Sequence, residues 1–179
     1  MYVLCTSNLI LIAERVYVLP NLVLYEEEFN LVTEVINRLV SSANAKVVFL
    51  VDKNGQLITS SGHTEGIDTT SLASLTAGNI AATGGLAKLI GEKEFSILFH
   101  EGEKDNIHIS IIGHRVILVV IFDEKSSLGL VRLRVKKSGE ELEKHFAEID
   151  KKAGTDTSGL GVDSPFAEIT DDDIENLFS

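Results

Sequence analysis

Residues 94–123 hold three apolar runs in close succession: EFSILFHEG (94–102), NIHISIIG (106–113) and RVILVVIFD (115–123). The links between them are short and carry Gly102 and Gly113. Runs joined this tightly read as neighbouring strands that alternate in direction, because a parallel crossover needs a dozen or more residues. An earlier pair completes the sheet. KVVFLVD (46–52) is apolar and β-branched throughout, as a strand buried on both faces should be. Asn54-Gly55 then signals a tight hairpin, and QLITSSG (56–62) returns.

Helical periodicity fills the gaps. Phe29, Val32, Val35-Ile36 and Leu39-Val40 recur at three and four, with Glu26–Glu28 at the positive end of the helix. Asp68 or Thr69 is placed to cap a second helix that runs to about Ile90. After Ser126-Ser127, apolar residues from Leu128 to Ile149 keep a helical recurrence through Gly139; GLVRLRV alone would also fit a strand, and the unbroken period decides for helix. The order α-β-β-α-β-β-β-α predicts an α/β (α+β) fold with a five-stranded, mostly antiparallel sheet between helices.

Both ends differ from this middle. Residues 1–24 are apolar, but Glu14-Arg15 breaks the run below the ~20 apolar residues of a membrane span, and no basic leader precedes it. Met1 is the chain's single methionine, so the segment is expected to be an N-terminal addition, either disordered or adding a short strand. The domain proper is expected over 25–152. Residues 153–165, AGTDTSGLGVDSP, read as a flexible linker. In 166–179, Phe166, Ile169, Ile174, Leu177 and Phe178 give an amphipathic tail, and six acids follow from Asp163 with no base. Such a short helix needs a surface to pack on. The expected surface is a bound partner; the alternative is a disordered acidic end.

Net charge is −11, from 16 basic and 27 acidic residues, which argues against a nucleic-acid partner. Cys5 is the single cysteine, which fits a reducing cytoplasm. His63, His100, His108, His114 and His145 show no metal spacing. His108 and Ser110 share a strand face without a placed acid, and Asp52, Asp105 and Asp123 read as turn or strand-end residues. No metal, cofactor or catalytic constellation is expected.

The second helix is unusual. TAGNIAATGGLAKLIG (76–91) keeps helical spacing yet contains Gly78, Gly84, Gly85 and Gly91. Each mid-helix glycine costs about 0.5–1 kcal/mol relative to alanine. The phosphate-loop pattern fails, since no lysine directly follows the glycine, and a dinucleotide loop needs its glycines at a strand-to-helix turn. On a helical wheel Leu72, Leu75, Ala82, Leu86, Leu89 and Ile90 share one face, the expected contact with the sheet. Ser74, Ala77, Gly78, Ala81, Gly84, Gly85 and Lys88 form a nearly bare second face, and Thr76, Ile80, Thr83 and Ala87 a third sector. The bare face is expected to admit a partner at close range.

LYEEEF, NAKVVFLVDKNGQLI, DTTSLASLTAGNIAATGGLAKLIGEKEF, VILVVIFDEKSSLGLVRLRVKK and SPFAEITDDDIENLF closely resemble bacterial members of the Roadblock/dynein-light-chain family, across about residues 24–179. Leu22 or Val23 is then a candidate start within the N-terminal addition. The resemblance implies a homodimer in which the EFSILFHEG strand, with Phe95, Ile97 and Phe99, pairs with its mate and the second helices lie side by side. It implies a platform, with Ala77, Ala81, Gly84, Gly85 and Lys88, that binds a small Ras-like GTPase and promotes GTP hydrolysis without an arginine finger. Arg115, Arg132 and Arg134 fit that, since none sits on the bare face. Regulation of cell polarity and gliding motility from the cytoplasm, concentrated at a cell pole, is implied likewise. The rival expectations are a scaffold of the same fold that binds without stimulating, and a small-ligand sensor; a strip without convergent polar groups argues against the sensor.

Overall fold

The computed structural model describes residues 16–19, 22–113 and 115–156. The chain divides into two units, Met1–Phe146 and Ala147–Ser179. The first holds the sheet. The second is described only as the last turns of the final helix.

Strands β1 (Val16–Leu19) and β2 (Leu22–Tyr25) pair as a separate antiparallel ribbon. Of the N-terminal segment 1–24, the strand expectation is met at 16–19 and 22–24, and the rest lies outside the described residues. Leu24 is fully buried, and the Tyr17 ring stacks on Phe29 with centroids 4.0 Å apart. Helix α1 (Glu26–Ala43) follows at once. The Tyr25 N–H donates to the Glu28 carboxylate at 3.1 Å, which occupies a donor the first turn would leave unpaired. Val32, Val35, Ile36, Leu39 and Ala43 form its buried stripe. Asn44 ends it in the left-handed region at φ 51°.

The main sheet has the order β4-β3-β7-β6-β5, and every neighbour is antiparallel. Strand β3 (Val47–Asp52) and strand β7 (Val116–Phe122) lie at its centre and are buried at every position. β-Branched residues suit such a strand because both faces are packed. Strand β4 (Leu57–Gly62) closes one side; β6 (Asn106–Ile112) and β5 (Ile97–His100) complete the other.

The β3–β4 turn is organised by Asp52, which is 5% exposed. Its carboxylate accepts from the Asn54 N–H at 2.9 Å, the Gln56 N–H at 2.7 Å and the Asn54 side-chain amide at 3.0 Å. Gly55 takes φ +86° at the turn. Removing the carboxylate leaves two backbone donors unpaired, so Asp52→Ala should lower stability by about 1–3 kcal/mol, read from the denaturant midpoint.

Helix α2 (Thr69–Leu89) lies on one face of the sheet. The Asp68 carboxylate accepts from the Ser71 N–H at 3.1 Å and caps it. The Ser71 hydroxyl, also donating to it, and that N–H together hold the carboxyl below its usual range. The core there joins Val47, Phe49, Val51, Ile109, Ile117, Val119 and Ile121 to Ala73 of the helix. Helices α1 and α3 (Leu128–Asp156) serve the other face. Thr33 of α1 meets Thr59 of β4 at 3.2 Å, and a Cβ on Gly139 of α3 would lie 2.9 Å from the Ile112 Cδ1 of β6. An ion pair between Arg38 and Glu141, 2.5 Å long, links the two helices. Helix α3 continues to Asp156, four residues into the stretch expected as linker; Ala153 is a strong helix former, and no proline intervenes before Asp156.

Candidate functional site

The face of α2 turned toward the sheet is not the one expected. Ala73, Thr76 and Ala87 are buried, with Leu72, Ala77 and Ile80 packed beside them. Leu75, Leu86, Leu89 and Ile90 point outward, 73%, 57%, 83% and 68% exposed. Of the six residues expected to face the sheet, only Leu72 packs against its core. The reason is steric. Phe49, Val51, Ile109 and Val119 already fill the layer from the sheet side, so the helix contributes small side chains and comes close. At the β3–β4 turn, a Cβ on Gly55 would sit 3.0 Å from the Ser74 Cα. The sequence signals two covered sides but not which of them meets the sheet. From Leu72 to Ile90 the helix has almost no polar face, and a helix apolar all round has two covered sides.

The bare strip sits at the border between these faces. Ala81, Gly85 and Lys88 are exposed; Gly84 is half-buried, and Ala77 is half-buried against the sheet core. A Cβ added at Gly78, Gly84 or Gly85 would meet nothing within 4 Å. Among the described residues nothing therefore requires those glycines. Together with the outward leucines they form an exposed apolar surface, the kind that marks protein contacts.

Strand β5 forms the sheet edge beside this helix. The Asn79 side-chain nitrogen lies 3.1 Å from the His100 Nε2, which joins helix to edge. Ile97 is half exposed, while Phe99 packs on Phe122 with ring centroids 6.3 Å apart. Phe95, expected within the strand, precedes it. Its place falls opposite the end of β6, where Gly113 turns the chain at φ +58°, so pairing starts only at the Ser96 carbonyl, which accepts from the Ile111 N–H at 2.9 Å. An edge strand with free backbone groups invites pairing with another strand. Phe166, Ile169, Ile174, Leu177 and Phe178 of the tail, and His114, lie outside the described residues.

On the opposite sheet face His108 is 1% exposed, and neither ring nitrogen has a hydrogen-bond partner. Burial, and then the charge of Arg132, push its pKa below 6.5. The unfolded chain therefore takes up a proton near pH 6.5 that the folded chain refuses. The contribution of His108 to stability is complete above that pH and falls away as pH drops toward the folded value. Denaturant unfolding at pH 7.5 and 5.5 should show a smaller acid loss for His108→Phe than for the wild type. Among the described residues no group of three or more His, Cys, Asp and Glu is placed to hold a metal, and no helix is long and apolar enough to cross a membrane.

The Roadblock/LC7 domain model matches residues 31–122, from α1 through the end of β7. The chain belongs to the Roadblock/LC7 family. Among solved Roadblock/LC7 structures it is similar to MglB of Myxococcus xanthus, with 66% identity over 72% of this chain and 96% of that one and a TM-score of 0.68. It is also similar to the gliding protein MglB of Thermus thermophilus, with 34% identity, 73% and 99% coverage and a TM-score of 0.68. A third relative, an MglB with a tetrameric arrangement, gives 32%, 74% and 99%, and 0.69. Comparison with the curated proteins gives no match. The Roadblock/LC7 match ends at Phe122, so β3 to β7 and the whole of α2 lie within it, and α3 lies beyond it.

Proposed function

We propose that this chain is a homodimeric activator of a small Ras-like GTPase of the MglA type, acting in bacterial cell polarity and gliding motility. The observation that carries the reading is the outward surface of α2: a bare strip at Ala81 and Gly85 bordered by exposed Leu75, Leu86 and Leu89. The 66% identity to the Myxococcus MglB supports it. Strand β5 of each copy pairs with its mate, which brings the two α2 helices to one side of a continuous sheet. The GTPase docks across them. No arginine lies on α2, so the platform supplies no arginine finger; it repositions groups of the GTPase around its own nucleotide. The protein has no reaction of its own in this reading. It acts in the cytoplasm, concentrated at a cell pole.

Light scattering at micromolar concentration should give the mass of two chains or an even multiple. Ile97→Lys should shift that population toward single chains, because it sets two like charges near the pairing edges. The GTPase loaded with a non-hydrolysable GTP analogue should co-elute with the dimer, and the GDP-loaded form should not. A stable monomer, or equal binding of both nucleotide states, contradicts the proposal.

A further inference from the structure

Between β6 and α3, away from the α2 surface, a cavity of about 350 Å³ opens beside His108. We propose that it is a binding site for a small carboxylate-bearing molecule with a short apolar body. Its volume lies at the lower end of the range for small-molecule sites, ~300–1,000 Å³. Ile97, Ile112 and Val135 supply apolar walls. His108 and Ser110, two residues apart on one strand face, supply the polar groups.

The buried histidine is what asks for a ligand. A neutral imidazole carries one N–H donor and one acceptor nitrogen. Here both nitrogens are buried and neither is paired. A buried polar group left so costs about 1–3 kcal/mol, and mostly apolar walls offer water few partners. The histidine is held neutral, first by burial and then by Arg132, so it offers a donor without bringing a second charge.

The charges on α3 set the sign of the ligand. Arg132 and Lys136 line the cavity on successive turns, followed by Glu140 and Glu143. A carboxylate fits the Arg132–Lys136 end, where it accepts from a guanidinium, and from the imidazole N–H once the ring, whose nitrogens are closed to solvent in this structure, turns toward the cavity. The Glu140–Glu143 end repels it. The apolar body then lies along Ile97, Ile112 and Val135. A bound anion favours the imidazolium, so occupancy should move the His108 titration upward.

The test is an NMR titration of the full chain with benzoate, its neutral counterpart benzyl alcohol, and inorganic phosphate. Benzoate should saturably shift the His108 ring and the Ile112 and Val135 methyls, and raise the pH at which the His108 ring titrates. Benzyl alcohol and phosphate should each bind about tenfold more weakly. Arg132 is exposed, so Arg132→Ala should keep the fold, confirmed by its melting curve, and weaken benzoate by about tenfold. Equal binding of benzyl alcohol would make the cavity an apolar hole without anion preference, and overturn the proposal. So would unchanged binding by the Arg132→Ala protein, or no saturable His108 shift up to about 10 mM benzoate.

Discussion

Ala81→Arg and Gly85→Arg are each expected to lower stimulated GTP hydrolysis by about a hundredfold while leaving the melting temperature within about 2 °C of the wild type. Both positions are exposed on α2, and a side chain built at Gly85 meets nothing within 4 Å. Arginine is also a better helix residue than glycine by several tenths of a kcal/mol, so the isolated fold has no reason to suffer. The loss arises in the complex, where a long charged side chain stands in a space that the partner must occupy. Stimulated hydrolysis under single-turnover conditions, together with a melting curve, separates the outcomes. If either variant unfolds, the strip is internal packing. If both stimulate normally, the GTPase docks elsewhere.

Gly62→Ala is expected to cost about 3 kcal/mol or more, the largest effect on stability of any single-methyl change in the sheet. Gly62 ends β4 at φ +98°, a conformation that L side chains rarely adopt. A Cβ there would lie 2.3 Å from the Lys46 carbonyl oxygen and 3.0 Å from the Val47 Cα. That backbone cannot yield easily. The Lys46 carbonyl accepts from the His63 N–H at 2.9 Å, and the Lys46 N–H donates to the Ile121 carbonyl at 2.9 Å, so moving it disturbs both edges of β3. Gly78→Ala is the contrast. It sits in mid-helix with open space around its Cα and should stabilise the isolated chain by about 0.5–1 kcal/mol. Denaturant midpoints of the two variants should therefore move in opposite directions.

The strands were legible in the sequence because each carries its own local evidence. The Asn54-Gly55 turn, the unbroken apolar run of β3 and the short links after His100 and Ile112 predict a five-stranded, mostly antiparallel sheet, and the structure has one; the pairing of β3 with β7 carries no local signal. The same was true of α1, whose single apolar stripe states which side is buried. Helix α2 resisted for a physical reason. Leucine is the usual residue at a helix–sheet contact, so the leucine face was expected inward. The sheet instead fills the layer with Phe49 and its branched neighbours, and the helix answers with Ala73, Thr76 and Ala87. Burial is a joint property of two surfaces, and the sequence of one element cannot state how much bulk the other supplies. The unpaired state of His108 was illegible for a related reason. It depends on the distance between β6 and α3, which Gly139 and Ile112 set across the core.

In the proposed function the α2 surface of the dimer stimulates a GTPase and does not merely hold it. Single-turnover GTP hydrolysis by the purified MglA-type GTPase, with and without a molar excess of this protein, tests it most directly. A rate increase of at least about a hundredfold is expected, and it should be lost in the Gly85→Arg protein. An unchanged rate in the presence of a demonstrated complex would contradict it, and would make the chain a scaffold.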